Sequence, residues 1–162
     1  MTRALLAALA LLLAPSMVVA GTGPGGLGDF SAFAAGTPQQ GLRTGTVTIH
    51  PKGGGTHRYR TEYAETPAQQ ATGMMFRRTM DPKSAMIFPM RPPRVATFYM
   101  RNTYVPLDIV FIGPDHRVLN VGEGRPLDEA IVASVAPAAA VLELKGGEAA
   151  RIGLGPGDRV DW

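Results

Sequence analysis

Apolar and polar residues alternate over 46–50 and again over 58–63, the period of a strand with one buried face. Pro51 and Gly53, Gly54 and Gly55 lie between them, so the two segments are expected to form a hairpin with a glycine-rich tip. Thr66, Pro67 and Gln69 then supply a capping residue, a first-turn proline and the third-position glutamine of a capping box. Gly73 follows at a helix-ending distance, which predicts a helix of about two turns. Apolar runs at 85–88, 95–100, 108–112, 118–122, 131–135 and 141–145 are separated by Pro, Gly, Asp and Asn, and each reads as a short strand. The Gly113-Pro114-Asp115-His116 turn makes a hairpin of the third and fourth of these. A helical turn is expected over 147–152, and a last strand runs to Trp162. Many short strands with one or two short helices predict a mostly β, α+β domain: a compact barrel-like antiparallel or mixed sheet.

The N-terminal region breaks this pattern. Arg3 is followed by an unbroken apolar run over 4–14, then Pro15, Ser16 and the small residues ending at Ala20. A basic start, a short apolar core and small residues at the end are the features of a cleavable secretory signal over 1–20. The run is too short for a bilayer-spanning helix, so no stable membrane anchor is expected after cleavage. Residues 21–43 are rich in Gly, Pro, Thr and Gln without period and read as a flexible linker, which leaves a single β-rich domain over 44–162. The expected location is periplasmic or extracellular. There is no cysteine, so the domain has no disulfide framework and no thiol chemistry. Formal net charge is only +3, one of which is Arg3, and the cations are scattered, which argues against a nucleic-acid partner. Nothing in the pattern calls for a second copy, and a monomer is expected.

Several segments carry a family likeness when taken in order. They are Gly73-Met74-Met75-Phe76-Arg77, Ala85-Met86-Ile87-Phe88, Phe98-Tyr99-Met100-Arg101-Asn102-Thr103, Val105-Pro106-Leu107-Asp108-Ile109, Val141-Leu142-Glu143-Leu144 and Gly157-Asp158-Arg159-Val160. Together they resemble the bacterial and archaeal family called domain of unknown function 192, over about 45–162. The resemblance implies a small, often exported β-rich domain with no assigned activity. It departs from the usual pattern at Tyr99, where Trp is common, at Arg101, where Lys is, and at Ala85, where Gly is.

The densest polar group is Arg101, Asn102, Thr103 and Asp108 around Pro106. Converging at one end of the sheet, these residues could bind a hydroxylated or cationic small molecule or an envelope component; the plainer reading is that they satisfy the backbone of a turn. Arg77, Tyr99, Arg101, Asn102, Asp108 and Glu143 make the expected binding set of a non-enzymatic ligand-binding or interaction module, with no cofactor, no metal and no catalytic residue. Glu143 alternates with Leu142 and Leu144 and so faces away from them, with a solvent-facing position beside Lys145 as the default. One alternative is an envelope glycan hydrolase using Asp108 and Glu143 as its carboxylate pair. Another is copper binding by the thioethers of Met74, Met75, Met80, Met86, Met90 and Met100, a role that ordinary core filling by methionine competes with. Phosphate-loop, zinc-protease, nucleophile-elbow and dinucleotide motifs are absent.

Overall fold

The computed structural model describes residues 36–162. The expected signal over 1–20, and the linker up to residue 35, lie outside the described residues. Nine strands follow in chain order: β1 (Arg43–His50), β2 (His57–Tyr63), β3 (Ser84–Arg94), β4 (Thr97–Phe98), β5 (Leu107–Ile112), β6 (Val118–Gly124), β7 (Val132–Ala133), β8 (Ala138–Lys145) and β9 (Arg159–Asp161). Two short helices join them, α1 (Pro67–Thr72) and α2 (Glu148–Ile152). The domain is mostly β, a curled half-barrel of seven strands in the order β6-β5-β8-β3-β2-β1-β9, with a separate ribbon of β4 and β7. The curl brings the two end strands together at one point, where Arg117 bridges Arg159.

The predicted hairpin is present, with Val47 opposite Tyr59. β2 and β3 run parallel, so the chain between them must cross over, and the crossover carries α1 onto the sheet. The capping box of α1 is complete: the Gln69 amide donates to the Thr66 hydroxyl at 3.2 Å, and the Gln69 side chain accepts from the Thr66 amide at 2.9 Å. Thr66→Ala is expected to lower stability by about 1 kcal/mol in urea denaturation.

Two lengths differ from expectation. β3 continues well past Phe88 through a register shift between Pro89 and Arg94; prolines are tolerated there because a bulge has already interrupted the ladder. The predicted strand over 95–100 contracts to two residues in the β4–β7 ribbon. Part of the expected linker also packs on the domain. Leu42 is buried, and the Gln39 side chain donates to the Gln69 and Gly73 carbonyls.

Both faces of the central strands are covered. One face gathers Val47, Ile49, Tyr59, Ile87, Val110, Leu142, Leu144 and Val160, and α2 closes it with Ala149 and Ile152. Because nearly every strand of the sheet contributes, this is the inner side of the curl. The outer face gathers Met74, Met86, Phe88, Met90, Met100, Ile109, Phe111 and Val141 beneath α1, the segment after it, and the ribbon. All six residues of β5 are buried, which explains why its sequence is a continuous apolar run broken only by Asp108.

Candidate functional site

Strand register fixes which polar residues can meet. Asp108 pairs with Leu144, and Glu143 pairs with Ile109 on one side and Met86 on the other. Side chains on successive strand positions point to opposite faces. Asp108 is therefore on the inner face and Glu143 on the outer.

Asp108 is fully engaged there. Its Oδ1 accepts from the Gly147 amide at 3.1 Å and its Oδ2 from the Ala149 amide at 2.6 Å, so it holds the start of α2. This corrects the expected carboxylate pair. The sheet itself stands between Asp108 and Glu143, and no cleft can present both to one glycosidic bond.

Glu143 is buried, contrary to the solvent-facing position that alternation beside Lys145 suggested, because the outer face has its own cover. Along its row of the sheet the outer-face neighbours are Glu62, Met86, Glu143, Ile109 and Gly122. Glu62 forms a bidentate pair with Arg77, one arm of it at 3.1 Å. Glu143 is left without such a partner: its Oε2 is buried and accepts no hydrogen bond among the described residues. Burial pushes its carboxyl up to about 8, and the Arg77 guanidinium offsets only part of that. At neutral pH Glu143 is thus mainly a protonated acid, able to donate a hydrogen bond.

A cavity of about 250 Å³ opens onto this carboxyl. The end of α1 and the turn after it form one wall, through Thr72, Met74 and Met75, and β3 adds Phe88, Met90 and Arg94. The ribbon adds Thr97 and Phe98, and Tyr99 follows directly after it. Phe98 is locked edge-on against Phe88 at 5.1 Å and Phe111 at 6.1 Å between ring centroids. Tyr99 stays half-exposed at the mouth.

Two non-glycine residues in left-handed conformation adjoin lining residues in sequence, Phe76 at φ 67° after Met75 and Asn102 at φ 55° before Thr103. The Phe76 amide donates to the Asn102 carbonyl at 2.7 Å, tying the two turns together. Asparagine adopts this conformation readily, but an aromatic residue does so at a cost. Strain of this kind persists where the surroundings over-determine it, commonly beside binding sites.

Of the expected binding set, Tyr99 and Glu143 line the cavity and Arg77 lies behind it. Asn102 contributes through its backbone. Arg101 points to the surface, paired with Glu129 at 2.7 Å and stacked 5.4 Å from the Tyr99 ring centroid. Met74, Met75 and Met90 do line the cavity, yet they do so as part of the apolar packing that also buries Met86 and Met100. No histidine joins them there. Sequence reasoning missed Arg94 and the Glu62 partner of Arg77. The signal for Glu62 was the period of β2, in which it alternates with the inner-face Thr61 and Tyr63.

The model of the family described as DUF192, an uncharacterised ACR, matches residues 48–162. The chain belongs to the DUF192 family. Two crystal structures resemble this DUF192 domain. One is a protein of unknown function from Novosphingobium aromaticivorans DSM 12444, with a TM-score of 0.74 and 45% identity, covering 85% of this chain and 100% of that one. The other, from Sinorhizobium meliloti 1021, is described as a candidate transcription regulator; its TM-score is 0.73 at 36% identity, covering 76% of this chain and 96% of that one. Comparison with curated proteins finds no match. Within the DUF192 fold, the segments 73–77, 98–103 and 141–144 that carried the likeness in sequence all contribute to the cavity around Glu143.

Proposed function

We propose that this domain is a non-enzymatic binding module that takes a small, uncharged hydrogen-bond acceptor into the Glu143 cavity. The observation that carries the reading is Glu143, a residue with a buried, unpartnered carboxyl oxygen, in the lining of a preformed cavity of mixed polar and apolar character. An orphaned buried polar atom costs on the order of 1–3 kcal/mol, and a ligand carbonyl or hydroxyl would relieve it. Charge selects against a cation, because Arg94 lines the cavity and Arg77 lies behind it. The lining offers one carboxyl and no activated nucleophile, which favours binding over hydrolysis. The apolar, Arg-started segment over 1–20 supports export, so the ligand is one met outside the cytoplasm. A nucleic-acid-binding role, which a transcription regulator such as the Sinorhizobium protein's description names could need, is not favoured, since the net charge is only +3 and six arginines, Arg43, Arg77, Arg101, Arg125, Arg151 and Arg159, are each paired with a carboxylate.

The test uses two molecules of similar size, N-methylbenzamide and benzylamine, titrated into the protein at pH 7 and followed by amide chemical shifts. The amide is expected to perturb residues 72–75 and 97–99, and the amine to leave them unmoved. Binding of the amide fades as pH rises through about 8, where Glu143 loses the proton it donates. Glu143→Gln keeps a donor and retains binding, whereas Glu143→Leu loses it. Stronger binding of the amine, or shifts confined to another surface, would overturn the reading.

A further inference from the structure

A second concavity adjoins the first. It is a larger, open groove of about 690 Å³, walled by Arg43, Tyr63, Arg91, Arg94 and Trp162. Gln70 and Arg94 line both spaces, so they stand at the junction. The Gln70 amide is fixed there by the Ala64 and Pro89 carbonyls at 3.1 and 2.9 Å.

The groove is cationic. Three arginines face one acid, Glu65, and that acid is taken by Arg43 at 2.8 Å. Arg43 itself is pinned over the Tyr63 ring, 3.6 Å from its centroid. Arg91 and Arg94 are exposed; Arg91 acts on Glu65 from beyond ion-pair distance, and neither closes an ion pair among the described residues. They are held on the proline-rich end of β3, where chain freedom is already reduced. Two spare guanidiniums on a stiff support are suited to carboxylate or phosphoryl oxygens, which they bind through two parallel hydrogen bonds.

Register sets the length of the molecule that could use both ends. Arg94 is opposite Ala138, which is five residues from Glu143, roughly 17 Å along β8. The reach of the two side chains takes up more than half of that span, and a molecule the size of an acylated amino acid bridges what is left.

We infer that the cavity and the groove are one site, whose ligand is an elongated organic anion: an apolar, hydrogen-bond-accepting head at Glu143 and a carboxylate or phosphoryl group at Arg91 and Arg94. This rests on the reading of the Glu143 cavity above and adds the second half of the ligand. The single tryptophan of the chain, Trp162, lines the groove and reports on its occupation.

Hippurate carries a benzoyl head, an amide and a carboxylate; N-methylbenzamide has the head alone. Both are titrated by calorimetry in physiological salt, with Trp162 fluorescence followed in parallel. Hippurate is expected to bind at least about tenfold more tightly and to change the fluorescence, which the neutral amide does not. Arg91→Gln with Arg94→Gln abolishes that difference, and Arg91→Gln alone, at a residue that lines only the groove, reduces it while leaving binding of the neutral amide unchanged. Benzamidomethylphosphonate, the phosphoryl counterpart, distinguishes the two anions by which of the pair binds better. Equal affinities for hippurate and the neutral amide, or a hippurate affinity untouched by the arginine changes, would overturn the inference while the cavity reading survives. Failure of both molecules to bind overturns both. The two arginines are at the surface, so the melting temperature of the variant should match that of the native protein.

Discussion

Glu143→Gln should make the domain more stable above pH 8 and leave it unchanged near pH 4. The Glu143 carboxyl is raised from 4.5 to about 8 in the folded chain because burial disfavours its charge. Below about pH 4.5 both folded and unfolded chains carry the proton, and no penalty arises. As pH rises from 4.5 to 8 the unfolded chain releases that proton while the folded one retains it, so stability falls across this window and levels off beyond it. The full displacement corresponds to at most about 5 kcal/mol, and relaxation of the site leaves a few. Urea denaturation of native and Gln proteins at pH 4, 6 and 8.5 isolates the effect, since every other titrating group is common to both. The difference should grow by roughly 2–4 kcal/mol from the first pH to the last. A constant difference would mean that Glu143 is solvated or paired in solution.

Asp108→Ala is expected to cost about 2–4 kcal/mol, since it strips two backbone amides of their acceptor in a buried place. α2 has five residues and cannot hold itself together. It depends on Asp108 at its start, and on Glu148, which accepts from the Tyr59 hydroxyl at 2.6 Å and pairs with Arg151. Without the Asp108 oxygens, Ala149 and Ile152 should leave the inner core. Amide exchange at Ala149 would then quicken far more than exchange in β3 or β8. Asp108→Asn keeps one acceptor and should fall between. Because the sheet separates Asp108 from the Glu143 cavity, neither change should alter N-methylbenzamide affinity while the protein is folded. A loss of affinity with folding intact would return Asp108 to the binding set.

How far the sequence foretold these results depends on how local each determinant is. The cap of α1 needs only Thr66, Pro67, Gln69 and Gly73, and it forms as spelled. The β1–β2 and β5–β6 hairpins follow from period and turn residues alone. The β4–β7 ribbon was overestimated because Val95, Ile131 and Val135 look like strand residues yet remain exposed. The site was half legible. Tyr99, Arg77 and Glu143 were singled out by type and spacing, but alternation cannot tell a solvent-facing side from one covered by a crossover. That ambiguity misplaced Glu143, and it made Asp108 and Glu143 look like partners. Their parity in paired strands separates them, and parity is known only once the register is. Arg94 was visible as a charge in a proline-rich stretch; its place between two concavities depends on the bulge in β3.

The meeting of the end strands has a bearing on how the protein behaves in a crowded compartment. An open sheet offers its edges as templates on which other chains can add strands, the first step toward fibrils. Here β9 is three residues long and is met by the turn before β6, with the Val118 amide donating to the Asp158 carbonyl and the Val160 amide to the His116 carbonyl. The rest of β6 is shielded by the ribbon, to which the Asn120 side chain bonds at the Ala133 carbonyl and the Val135 amide. A cysteine-free domain of this kind has no crosslink to hold it shut while it folds; curling the sheet until its ends touch leaves little free edge for another chain to add to.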